Sequence, residues 1–214
     1  MTIFVKTFFV NIIENYFTNL SDFQKQQFSQ LQHIYEYWNE KVNLISRKDI
    51  KFLYTRHVLH SLAISKIVKF KNQSSILDVG TGGGFPGIPL AILFPKSKFH
   101  LIDRTYKKVK VVSSICEDLN LKNVKVEQIC ASEVESLYDF VVSRAVTKMQ
   151  NFANMVKFNF EPESKNEIKN GILYLKGGNL NRELNSFSNA KVFELKDFFS
   201  DSFFETKKLV HIPF

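Results

Sequence analysis

The hydrophobic rhythm of the chain changes near residue 70. Before it, apolar side chains recur at steps of three and four: Phe28, Leu31, Tyr35, Trp38 and Val42 fall on one helical stripe. Ser21 is placed to cap that helix, and Asp49 to cap a second one whose apolar residues are Phe52, Leu59, Leu62, Ala63 and Ile67. Neither Gly nor Pro interrupts this part, so residues 1–70 read as an N-terminal helical extension. On such a stripe Tyr35 and Trp38 are core residues first and base-stacking candidates second.

From residue 75 the pattern becomes one of short apolar runs separated by helical stretches. Strands are predicted at 76–79, 98–102, 124–129, 139–143, 171–175, 191–195 and 207–212, and helices at 86–94, 105–119, 133–137, 147–158 and 179–188. In the helix at 105–119, Val109, Val112, Ile115, Cys116 and Leu119 form the inner face. Strand and helix alternating in this way build an α/β fold, a mostly parallel seven-stranded sheet with helices on both faces. Residues 71–214 are the expected core, forming one globular unit with the extension, and the polar stretch 161–171 is its clearest expected loop.

The junction after the first strand carries the densest chemistry. "ILDVGTGGGFPGIPL", residues 76–90, places Gly80, Gly82, Gly83, Gly84 and Gly87 between an apolar strand and a helix start marked by Pro86 and Pro89. Glycine there accepts positive φ and lets backbone approach a ligand, beside the free N–H groups of a helix N-terminus. Two patterns overlap. Gly82, Gly84 and Gly87 satisfy GxGxxG, a dinucleotide motif that keeps an NAD-dependent oxidoreductase open. Asp78, Gly80, Gly82 and Gly84 satisfy DxGxGxG, associated with S-adenosylmethionine. A pyrophosphate is repelled by Asp78, whereas a ligand bearing ammonium and sulfonium groups is favoured by it.

Asp103 closes the next strand, 21 residues beyond Gly82, where a carboxylate can accept ribose hydroxyls or merely cap a helix. Ligands of open α/β sheets sit outside the carboxyl ends of the strands, so Ser132 and Glu133 after the third strand and Arg144 after the fourth join the candidates. Ser132 with Glu135 also spells a capping box, and Arg144 has a structural alternative in pairing with Glu133 or Asp103.

Charge and cysteine content narrow the picture. Lys and Arg number 29 against 21 Asp and Glu, a net charge of +8 that suits a polyanionic partner. Lys accounts for most of that excess, as a coding bias also dictates, which makes the few arginines the better markers of sites that need a planar fork of donors. Cys116 and Cys130 have no metal-ligand spacing around them, so neither a disulfide framework nor a metal site is expected, and a reducing compartment fits. "MTIFVKTFFVNIIENYF" is apolar but carries Lys6 and Glu14 and no small-residue cleavage site; no uninterrupted apolar run reaches the roughly 18 residues of a membrane span. A cytoplasmic chain without membrane contact, monomeric by default, is expected.

Together, "DVGTGGGFPGIPL", "NLIS" (43–46), "RHVLHS" (56–61), "SRA" (143–145) and "LKG" (175–177) resemble the RsmG family, also called glucose-inhibited division protein B, over residues 40–212. The resemblance implies a Rossmann-like class I S-adenosylmethionine-dependent methyltransferase. Its acceptor is then N7 of a guanine in the decoding-region loop of bacterial 16S ribosomal RNA, free or in the small subunit. It also implies donor contacts at Gly80, Phe85, Ser132, Glu133 and Arg144, with Arg144 as the catalytic candidate. Arg56, His57, Lys176 and Lys207 become substrate candidates. Against them stand plainer roles, a packed His57 and a solvated Lys176. The chain departs from the family pattern at Ile45, His60, Gly83 and Lys207, the last standing where an Arg is expected. Rival readings are a methyltransferase with another acceptor and an RNA-binding module without catalysis.

Overall fold

The computed structural model describes residues 12–214; the first eleven residues of the apolar N-terminal stretch lie outside them. The strands are β1 (Ser75–Val79), β2 (Lys98–Asp103), β3 (Val124–Gln128), β4 (Phe140–Arg144), β5 (Gly171–Gly177), β6 (Lys191–Glu194) and β7 (Lys207–Pro213). They form one sheet in the order β3-β2-β1-β4-β5-β7-β6. The pairings from β3 to β5 are parallel, and β7 enters antiparallel to both β5 and β6. Chain order reverses between β1 and β4, which opens a crevice at the carboxyl ends of those two strands.

Strand residues alternate between two apolar cores, as a period of two requires. Ile76, Phe140, Val142, Leu173 and Leu175 face one side, and Leu77, Val79, Val141, Ile172 and Tyr174 the other. The first core is the larger. It takes in the helices α1 (Asp22–Lys41), α3 (Gly87–Leu93) and α4 (Tyr106–Asp118) and the helical segment 53–66. Phe28, Leu31 and Tyr35 of α1 are wholly buried in it, each such side chain contributing about 2 kcal/mol of transfer free energy. The other core is covered by α5 (Met149–Val156).

Ser21 caps α1 through a reciprocal capping box with Gln24. The second predicted helix is irregular: π-helical over Leu53–Leu59, a single α-turn α2 (His60–Leu62), then a 3-10 turn Ala63–Lys66. Asp49 does not cap it, because its carboxylate accepts from Ser46 and Arg56 instead. The helix expected at 133–137 does not form. Its place is taken by a 3-10 turn over Ala131–Glu133, in which Glu133 accepts from the Cys130 amide in place of any Ser132–Glu135 box. At 179–188 only α6 (Asn181–Leu184) is helical. Among the described residues, no helix is long and apolar enough to cross a membrane.

Candidate active site

The parallel strands end on one rim, and the glycine loop crosses it. Gly80, Gly82 and Gly84 all have positive φ. At Gly80 the need for glycine is twofold, since a Cβ there would stand 2.6 Å from Val146 Cγ2. At Gly82 a Cβ would meet only the Gly80 carbonyl, 3.8 Å away, so this stretch of backbone faces open space beside Asp103. The Gly82 amide donates to Asp103 Oδ2 (3.0 Å), and Thr105 N donates to Oδ1 (2.9 Å). One carboxylate thus ties the loop to β2 and caps the turn into α4, and each oxygen keeps a second lone pair for a ligand hydroxyl.

Asp78 is turned inward. Its Oδ2 accepts from Thr81 Oγ1 (2.7 Å) and the Gly87 amide (2.8 Å), its Oδ1 is buried without a partner, and the side chain has no exposure. Burial pushes the carboxyl up to about 7. The Asp78 carboxyl, expected beside the ligand, braces the loop and the start of α3. Tyr35, expected as a core residue first and a base-stacking candidate second, supplies a second brace: its hydroxyl donates to the Gly83 carbonyl at 2.7 Å.

Arg144 ends β4 and pairs with neither Glu133 nor Asp103. It donates to the Arg56 carbonyl (3.3 Å) and to His57 Nδ1 (3.1 Å), and its guanidinium lies 5.1 Å from the Phe85 ring centroid. Burial lowers its pKa only to about 10, so it stays charged at neutral pH. Accepting from Arg144 requires a lone pair on His57 Nδ1, hence a neutral ring. Burial and then the Arg144 charge hold His57 in that state, with a pKa pushed down to about 3. Phe85 is 3% exposed, packed against Tyr35 and His57, and serves as the apolar floor under Arg144.

A cavity of about 630 Å³ opens beside Arg144 and His57. Arg56, His57, Arg144, Lys176 and Lys207, all singled out from the sequence, line it together with Lys148, which was not. Its one carboxylate is Asp49, bound to Arg56 at 2.6 Å. Lys176 is not solvated: it donates to the Thr147 carbonyl and pairs with Glu183. Two of the departures from the family pattern find plain packing roles: Ile45 is a core residue, and His60 is buried against Phe203 and Phe204. Gly80, Gly82, Asp103, Ser132 and Glu133 do not line this cavity. Ser132 and Glu133 are exposed on the turn after β3, where Ser132 Oγ donates to Cys130 Sγ.

The sheet order and the bare-backbone loop at its switch point define a class I S-adenosylmethionine-dependent methyltransferase. Solved structures share the fold: a SAM-dependent methyltransferase from Aquifex aeolicus matches 71% of this chain and 88% of its own with a TM-score of 0.52 at 17% identity. A ribosomal protein L11 methylase from Lactobacillus delbrueckii subsp. bulgaricus matches 73% and 77%, with a TM-score of 0.54 at 12% identity. Sequence carries the assignment further. Residues 24–210 match the family model described as "rRNA small subunit methyltransferase G", and the chain belongs to that family. Proteins named ribosomal RNA small subunit methyltransferase G from Flavobacterium johnsoniae and Flavobacterium psychrophilum are 55% and 57% identical, each over 94% of this chain and 96% of its own length.

Proposed function

We propose that this chain methylates N7 of a guanine in 16S ribosomal RNA, free or within the small subunit. The observation that supports the acceptor class best is the cavity beside the donor loop. Arg56, Arg144, Lys148, Lys176 and Lys207 surround it, and its single carboxylate is already paired. Such a lining favours a phosphodiester chain over a protein acceptor.

Bound along Gly80 and Gly82, S-adenosylmethionine supplies an electrophilic methyl group. The open face of Gly82 and the free lone pairs of Asp103 fit its backbone-close ribose, and Asp78 and Tyr35 hold the loop in the shape that receives it. Guanine N7 carries a lone pair and no proton, so the chain has no proton to remove. Its task is placement, which alone supplies several kcal/mol when two reactants are held in line. Arg144 is preset by His57 and the Arg56 carbonyl, and its remaining N–H groups are free to bind guanine O6 or a phosphate. A neutral His57 fits this role because it orients Arg144 without competing for the anion. Lys148 and Lys207 hold the RNA backbone. The protein works as a cytoplasmic monomer on this reading.

The test is incubation of the purified protein with labelled S-adenosylmethionine and either naked 16S RNA or small subunits, followed by strand scission specific for 7-methylguanine. One labelled guanine is expected. Label at a nitrogen other than N7, or label only in protein, would overturn the proposal.

A further inference from the structure

The turn between β4 and α5 is the wall between donor loop and cavity. One of its residues, Val146, lays its side chain on Gly80, and its neighbours Ala145, Thr147 and Lys148 line the cavity. Such a wall must be fixed to keep two reactants in line, yet this turn is intrinsically poorly held. It lies outside regular structure, Ala145 sits at φ +55, and Ala145, Val146 and Lys148 are exposed.

What fixes it comes from β5 and α6. The Tyr174 hydroxyl accepts from the Val146 and Thr147 amides, both at 2.9 Å, and donates to the Thr147 carbonyl at 3.0 Å. Its own ring is wholly buried against Phe152. Glu183 completes the clamp, accepting from the Met149 amide and from Lys176, which in turn donates to the Thr147 carbonyl. We infer that Tyr174 and Glu183 are positioning residues for methyl transfer, acting through the 145–148 turn on donor and acceptor at once. The acceptor half of this inference rests on the proposed function; the donor half does not.

The experiment compares Tyr174→Phe, which keeps the ring and deletes the clamp's hydroxyl, with Glu183→Gln and a control, Tyr138→Phe. Tyr138 is also a buried tyrosine, its hydroxyl bonded to His100 and distant in role from the rim. S-adenosylmethionine binding is measured by calorimetry, and turnover on 16S RNA at saturating donor and RNA. Tyr174→Phe is expected to weaken donor binding at least fivefold and lower kcat at least tenfold, and Glu183→Gln to do the same to a smaller extent. Tyr138→Phe should leave both within twofold at a comparable loss of Tm. Wild-type donor affinity and kcat in Tyr174→Phe would overturn the inference, as would equal losses in Tyr138→Phe. A wild-type protein that binds donor but does not turn over on RNA would sink the acceptor reading, and the donor-binding comparison would still decide the clamp.

Discussion

Arg144 is held as a fork, not as a charge. Its two hydrogen bonds, to the Arg56 carbonyl and His57 Nδ1, leave on different nitrogens, a geometry that a lysine ammonium cannot reproduce. Arg144→Lys is therefore expected to lose at least tenfold in kcat and Arg144→Ala at least a hundredfold, with donor affinity changed far less, read by single-turnover methylation and calorimetry. Asp78 makes the opposite case, a brace whose charge is incidental. Asp78→Asn retains an oxygen for Thr81 and Gly87 and is expected to bind donor within threefold of wild type, whereas Asp78→Ala loses the brace and at least tenfold. His57 has a folded pKa far below its ordinary value, so folding excludes its proton. Its contribution to stability is complete above the ordinary value near 6.5 and is lost as pH falls from there towards 3. His57→Gln should accordingly lose less of its urea midpoint between pH 7 and pH 5 than wild type does, and an equal loss would contradict the burial of a neutral ring.

At the scale of elements, the glycine loop is the most constrained piece of backbone in the site. Gly80→Ala places a Cβ 2.6 Å from Val146 Cγ2 at a φ of +67, so both the loop and the turn above it must shift. A drop in Tm together with loss of calorimetric donor binding is expected; unchanged binding would mean that Val146 does not rest on the loop. This scale also shows what was legible in the sequence. All seven strands lie within two residues of the expected spans, because apolar runs bounded by Gly, Pro and polar residues mark strand limits both in the buried parallel strands and at the antiparallel edge. The helix expected at 133–137 failed because Glu133 reaches back to Cys130 and closes a tighter turn two residues earlier. The 179–188 helix frayed after one turn, with Glu183 drawn to Lys176 and the Met149 amide. Arg56, His57, Lys176 and Lys207, the substrate candidates of the family resemblance, line one cavity. Lys148 and the Tyr174 clamp had no such signal: one is a lysine among 29 cationic residues, the other an aromatic in an apolar strand. The Tyr174 clamp arises from the side-by-side placement of β4 and β5, and Lys148 reaches the cavity through the turn that the clamp holds, neither of which a local pattern encodes.

For the whole molecule, the net charge of +8 gains meaning only through its placement. Five of the positive side chains border one cavity, and among the described residues no ion pair engages Lys148 or Lys207. RNA affinity should therefore fall steeply with salt. Lys148→Gln and Lys207→Gln should each weaken binding for all RNA sequences alike and reduce the slope of log affinity against log salt by about 1. An unchanged slope in both would move the RNA path off this cavity. The N-terminal helices belong to the same account, since Tyr35 reaches from α1 to the glycine loop and Arg56 and His57 reach from the 53–66 segment to Arg144. They share the larger core with the sheet and complete the site from outside it.

The central claim is that one rim joins a donor cradle to a guanine-accepting, phosphate-binding cavity. Mapping 7-methylguanine along 16S RNA from cells carrying the wild-type gene, a deletion, or Arg144→Ala tests it most directly. The account predicts a single modified guanine in the decoding region that disappears in the deletion and is all but absent with Arg144→Ala. An unchanged methylation map in the deletion would contradict it.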